Sequence, residues 1–254
     1  MEFLFAILCG VGVGTLGTLI GAGGGFILMP VLLFAYPSEP PWAIAALSML
    51  VVCANGVSGA AAYAVRKQID WKSAVFFTIA AFPGTWVGTM LTGKVEREGF
   101  EKAFGVVMLL LSFFLFFKTV TKTGLGKEEI DFHPTSRRIL IGSLYSVLIG
   151  AMAGFLGIGG GIIHVPLLAS VLGYPVHLAT GTSHFVLALT ALGSVLAHHG
   201  AGHYSRLPSF TPYLVGGVLV GAQLGAHLSR RVSSKMILRL LAMALGFVGI
   251  RLIF

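Results

Sequence analysis

This chain of 254 residues carries little charge: Asp, Glu, Lys and Arg make up 10% of it, against roughly a quarter of an ordinary soluble domain. That supply cannot coat a water-facing surface, so a soluble globular fold is not expected. No Asp or Glu falls in the interior of any long apolar run, and no Lys or Arg falls near the middle of one. This argues against a carboxylate proton relay, a carboxylate cation site and an acid–base pair for hydrolysis at membrane depth. The expectation is a protein that is not an enzyme and needs no cofactor. Cysteine is scarce too. Cys9 and Cys53 both lie in apolar runs and are read as small core hydrophobes, not as a disulfide or metal site.

What is present is apolar. Hydrophobic residues make up 56% of the chain, and its mean hydropathy is +0.92. Eight apolar segments can be marked, at 3–36, 42–65, 73–92 and 100–117, then 139–172, 178–198, 209–228 and 236–254. The expected fold is an all-α polytopic membrane protein. The first run is too long for a signal-peptide core and lacks a basic leader, so it is read as a retained segment. The formal net charge of +8 comes from Lys and Arg clustered between the runs, where they flank membrane helices and need no nucleic acid. The expected partners are the lipid bilayer and a small solute, and the expected location is a bacterial cytoplasmic membrane.

One phrase occurs twice: GAGGGFILMP at 21–30 and GIGGGIIHVP at 157–166, a spacing of 136 residues. Gly21/Gly157, Gly23/Gly159, Gly24/Gly160, Gly25/Gly161, Ile27/Ile163 and Pro30/Pro166 are identical. The duplication divides the chain into a membrane repeat at 1–117, a polar linker at 118–138, expected to be the most mobile stretch, and a second membrane repeat at 139–254. The first and fifth segments are oversized. Thirty-four residues of helix would reach about 51 Å across a hydrocarbon core about 30 Å thick. Three consecutive glycines in each, at about 1 kcal/mol apiece relative to Ala, should interrupt them. Backbone bared at that depth must be covered by protein or line a polar cavity.

Lys and Arg counts bear on the path. If the oversized segments fold back as re-entrant hairpins, the loops 66–72 and 118–138 and the turn before the last segment share one side. Twelve Lys or Arg then face that side and four the other. The positive-inside tendency favours this arrangement and the cytoplasm for the basic side. Three spans and a hairpin per half would make the halves inverted repeats, a pattern of secondary transporters that bind substrate at broken helices near the midplane.

The Gly-rich phrase lacks the Lys-Ser/Thr of a phosphate loop, and no strand precedes it. It reads either as a close-packing motif or as a pair of bared helix starts near Gly24 and Gly160 that offer N–H groups to an anion. The candidate substrate-binding set is Gly23, Gly24, Gly25, Ser48, Asn55, Gly159, Gly160, Gly161, His164, Thr182 and Ser183. Thr15, Thr18, Ser58, Thr180 and His184 lie at similar depth. Ser48 aligns with Ser183 by a shift of 135 and reads as its counterpart. His164 stands where the first repeat has Leu28, and an ionisable group there is a candidate for substrate or proton handling. The run HHGAGH, with His198, His199 and His203, is either a transition-metal site or an interfacial loop; no metal ligand is assigned from it. Trp42, Trp71 and Trp86 read as interface anchors or packing.

The paired phrases, the G-T-S run at 181–183 and the basic turn after the seventh segment resemble the sulfite exporter TauE/SafE family of anion permeases, over nearly the whole chain. The resemblance implies transport of sulfite, an organosulfonate or a related sulfur-containing organic acid. The first repeat reads AALSM where the second reads TGTSH, so the half-sites differ. A transition-metal permease and an anion channel are the alternatives.

Overall fold

The computed structural model describes residues 2–120, 134–229 and 234–253, and their regular structure is helical. The α-helices are α1 (Glu2–Ile20), α2 (Gly25–Ala35), α3 (Pro41–Val65), α4 (Trp71–Thr92), α5 (Arg97–Val120), α6 (Ser136–Leu156), α7 (Gly161–Pro166), α8 (Val176–Gly200), α9 (Thr211–Leu228) and α10 (Ser234–Ile253). A π-helical turn, Leu167–Val171, continues α7, and a 3-10 turn, His203–Arg206, follows α8. Among the described residues, α1, α3, α4, most of α5, α6 and α8 are long and apolar enough to cross a bilayer. Side chains such as Phe247, 75% exposed, and Leu110, 65% exposed, face outward as lipid-facing groups do. The protein is an integral membrane protein.

Both oversized segments are interrupted at their glycine runs, but unevenly. The 19 residues of α1 rise about 28 Å and are long and apolar enough to cross on their own. The return element α2 has 11 residues, and its counterpart is the six-residue α7 with its π-turn. Helix also covers both ends of the segment expected as linker, since α5 reaches Val120 and α6 starts at Ser136. The core of that segment, and with it the expected mobility, lies outside the described residues, as does most of the basic turn at 230–235.

Small residues set the close packing. α1 and α9 run side by side in the same direction: Ile7 meets Gly217, Val11 meets Gly221 and Thr15 meets Gly225, and a side chain on any of these glycines would strike α1 backbone. α4 and α6 run together in the same way, with Gly84 at Val147 and Gly88 at Ala151. Such contacts let helix backbones approach where lipid supplies no hydrophobic drive. α3 lies antiparallel to α8, with Gly56 at Ala188 and Gly59 at His184. α5 lies antiparallel to α10, with Gly105 near Ile253 and Ser112 Oγ donating to the Ala242 carbonyl at 2.7 Å. Ser58 Oγ donates to the Leu219 carbonyl at 2.9 Å and Arg66 to that of Ala226, so α3 and α9 run in parallel. Trp71 meets Phe185 and Thr89 meets Ser194, so α4 and α8 do likewise.

One end of the bundle carries Arg66 on the end of α9, Arg138 beside Gly173, and Tyr174, whose hydroxyl reaches Ser73 Oγ at 2.6 Å and donates to Asp70 Oδ2 at 3.4 Å. Arg97 marks the opposite end. It donates to the carbonyls of Leu33, Tyr36 and Glu39 and so ties the end of α2 to the start of α5.

Candidate functional site

At the first break Gly21, Gly23 and Gly24 adopt φ of +81°, +76° and +78°. An L side chain in that region costs about 1–2 kcal/mol per residue, which is why glycine stands there. These turns fold the chain back so that Gly24 lies against Val13 and Gly17 of α1, and α2 then returns. The amides of Ala22 and Gly23 donate to the Gly17 carbonyl, and that of Gly21 to Thr18. The next amides, of Gly24, Gly25 and Phe26, find no acceptor among the described residues. At the second break Gly157 and Gly159 have φ of +67° and +70°. Gly157 and Ile158 donate to the Ala153 carbonyl, while Gly159, Gly160, Gly161 and Ile162 find no acceptor among the described residues. All of these residues are buried. A buried unpaired donor costs about 1–3 kcal/mol and is normally met by protein, water or an ion.

The two breaks touch. A Cβ on Gly25 would lie 2.6 Å from the Ile158 carbonyl oxygen, and one on Gly161 2.5 Å from that of Gly21. Leu187 of α8 fills the space beside Gly23, Gly159 and Gly161, and Val52 of α3 the space beside Gly25 and Gly159. Both side chains are fully buried.

Of the candidate hydroxyls, Ser48 donates to the Gly157 carbonyl at 2.6 Å and Ser183 to the Gly161 carbonyl at 3.3 Å. Both therefore belong to the breaks. Thr182 does not: its Oγ1 accepts from the Asp70 amide at 3.0 Å, at the bundle end. Thr180 bonds back to Val176 within its own helix. Ser58 pairs with α9 and Gln223 at an exposed position. The expected equivalence of Ser48 and Ser183 is corrected by one position. Ser48 holds Gly157, and the position 136 residues on from Ser48 is His184, which bonds Asn55 and lies 3.4 Å from Thr18 beside the first break.

Asn55 is the centre of a buried polar seam. Its Oδ1 accepts from Thr18 Oγ1 at 2.6 Å and from His184 Nε2 at 3.1 Å, and its Nδ2 donates to the Gly14 carbonyl at 3.3 Å. The donor on Gly14 fixes the amide orientation, which in turn assigns the His184 proton to Nε2. Tyr63 closes the seam by donating to the Thr18 carbonyl at 2.7 Å, with its ring edge-on to His184. His164 has a separate partner. Ser146 Oγ donates to the Gly142 carbonyl at 2.7 Å and accepts from His164 Nε2 at 2.9 Å. Nδ1 of both histidines is buried without a hydrogen-bond partner. Ser146 and Tyr63 escaped the sequence reading. Ser146 stands where the first repeat has Gly10, so the duplication offered no signal for it.

In HHGAGH, His198 Nδ1 and His203 Nδ1 lie 2.8 Å apart, the length of an N–H···N bond in which one ring donates. His203 also lies against Trp42, with ring centroids 4.3 Å apart. His199 is exposed. Desolvation holds the His203 imidazole below its ordinary value. No group of three potential ligands gathers around a metal position among the described residues. Trp42 and Trp71 stand at the starts of α3 and α4, where interface anchors belong.

A family model described as "Sulfite exporter TauE/SafE" matches residues 6–252. The chain is 28% identical over 270 residues to the probable membrane transporter protein YunE of Bacillus subtilis, covering 100% of this chain and 98% of that one. It is 27% identical to a probable membrane transporter protein of Methanocaldococcus jannaschii, with 96% and 92% covered. No solved structure matches the chain. With nearly its whole length matched, the chain belongs to the sulfite exporter TauE/SafE family and is a membrane transporter.

Proposed function

We propose that the protein is a secondary carrier of a small anion, a sulfur oxyanion or organosulfonate, held between the two glycine breaks in a cytoplasmic membrane. One observation carries the reading: buried amides of Gly24, Gly25 and Phe26 lie on one side, and those of Gly159, Gly160, Gly161 and Ile162 on the other, all without an acceptor among the described residues. An oxyanion supplies three or four acceptor oxygens to such a ring. Backbone donors also spare the membrane a fixed buried cation, whose cost at the midplane runs from about 3 to above 10 kcal/mol. Ser48 and Ser183 anchor the backbone beside the breaks instead of donating into the gap.

The two halves then work as inverted repeats. The pairing supports this: α3 opposes α8 and α5 opposes α10, while α1 runs with α9 and α3, and α6 with α4 and α8. Leu187 and Val52 fill the gap between the breaks, so passage requires these helices to move, which favours a carrier over an open pore. The His198–His203 pair brings two ligands without a third among the described residues, which favours an anion over a transition metal. A thermal-shift screen of the purified protein tests the choice, because a ligand that binds only the folded state raises its melting temperature. Sulfite, thiosulfate or methanesulfonate should stabilise it. Stabilisation by divalent metals alone would reject the reading.

A further inference from the structure

Each break has one buried imidazole beside it. His184 Nε2 lies 3.4 Å from the hydroxyl of Thr18, the residue whose carbonyl accepts from the Gly21 amide, and a Cβ on Gly160 would lie 3.2 Å from His164 Nδ1. The rings are 0% and 1% exposed. Each donates through Nε2 to a fixed oxygen, Asn55 Oδ1 for His184 and Ser146 Oγ for His164. Each leaves Nδ1 buried without a partner. A bare imidazole lone pair repels an anion, whereas an N–H at the same atom attracts one.

We propose that His164 and His184 carry protons alongside the transported anion, each taking its proton at Nδ1 as the anion settles between the breaks. This rests on the anion reading above. The step is a simple protonation. A proton from water on the loading side forms an N–H bond at Nδ1, Nε2 keeps its own, and the ring becomes a cation. On the far side the anion leaves and the same N–H bond releases its proton. Nothing is oxidised or reduced.

The surroundings explain why proton and anion would travel together. Around His184 stand Thr18 of α1, Asn55, Gly59 and Tyr63 of α3, and the first break. Tyr63 is the titratable group among them, and its hydroxyl is engaged with the Thr18 carbonyl. Around His164 stand Ser146 and Ile149 of α6, Phe77 of α4 and Gly160. Among the described residues no charged side chain hydrogen-bonds or pairs with either ring. Arg66, which acts on Tyr63, donates to the Ala226 carbonyl at the end of α9, and the Asp70 backbone meets Thr182 at that same end of the bundle. An imidazolium at either place therefore has no charged partner among the described residues, and an anion in the breaks would supply one. Conversely, an anion held by neutral donors alone brings its whole charge into a buried site.

The test is isothermal calorimetry on purified protein with thiosulfate and with methanesulfonate, neither of which titrates near neutral pH. Repeating it in buffers of different ionisation enthalpy reports the protons taken up per anion. Wild type should take up protons on binding, and affinity should fall as pH rises. Uptake should drop in His164→Gln and in His184→Gln and vanish in the double variant; glutamine keeps a side-chain N–H for the Ser146 or Asn55 oxygen. A purely structural histidine would change affinity and leave proton uptake alone. Binding without proton uptake, or with pH-independent affinity in wild type, overturns the coupling while leaving the anion site standing. Failure of both anions to bind rejects the anion reading, and the coupling falls with it.

Discussion

The amide oxygen of Asn55 accepts a hydrogen bond from His184 Nε2 at 3.1 Å, joining α3 of the first half to α8 of the second. The same oxygen accepts from Thr18 Oγ1 at 2.6 Å. One side chain thus locks α1, α3 and α8 together beside the first break.

Asn55→Ala should therefore destabilise the protein out of proportion to its size. It strands the Thr18 hydroxyl and the His184 N–H in a buried seam, at about 1–3 kcal/mol for each unsatisfied group. Melting of the detergent-purified protein should show a clear drop. Ser183→Ala, which loses only one longer bond to the Gly161 carbonyl, should cost about 0.5–1.5 kcal/mol. Equal melting temperatures for the two variants would contradict the assigned seam.

Gly25→Val and Gly161→Val should abolish transport of sulfite or thiosulfate into proteoliposomes. In each case the new Cβ would press on backbone of the opposite break. Gly12→Ala is the matched control, since nothing lies within 4 Å of that position, and it should transport normally. Folded valine variants with normal uptake would make the glycine runs simple packing motifs.

Single cysteines at Gln68 and Arg137 should be protected together from an impermeant reagent on intact cells, while one at Lys94 should label. Arg66 and Arg138 stand at one end of the bundle and Arg97 at the other, and the richer supply of Lys and Arg belongs on the cytoplasmic side. Labelling of Gln68 without Arg137 would contradict an inverted-repeat topology.

The loop after α8 should loosen in acid. Burial lowers the His203 value, so the unfolded chain binds its proton more readily. The contribution of this group therefore rises with pH, is complete above the ordinary imidazole value of about 6.5, and is lost as pH falls below it. A doubly protonated His198–His203 pair also loses its N–H···N bond. Hydrogen-exchange protection of residues 201–207, taken relative to the intrinsic rate at each pH, should fall on acidification in wild type and respond less in His203→Gln. An unchanged response in the variant would place the pH sensitivity elsewhere.

The places where the chain breaks were legible in the sequence because consecutive glycines penalise helix locally, and the structure puts positive φ at Gly21, Gly23, Gly24, Gly157 and Gly159. The unequal limbs were not legible. Hydropathy runs without pause from α1 into α2 and hides that α1 alone is long enough to cross. Asn55 could be picked out as a polar residue in an apolar run, but its partners could not, because Thr18 and His184 are 166 positions apart and meet only through packing. Thr182 looked like Ser183 in sequence, yet one residue along a helix turns a side chain by about 100°. That rotation sends Thr182 to the Asp70 amide and leaves Ser183 at the break.

The central claim is that backbone amides of the two breaks hold the anion, and a density map of the protein at saturating thiosulfate tests it most directly. Anion density should lie between Gly24–Gly25 and Gly160–Gly161, within hydrogen-bond distance of their amides, with Leu187 displaced from the gap it fills here. Anion density only at the His198–His203 pair or on the basic end of the bundle, with Leu187 still seated between the breaks, would contradict it.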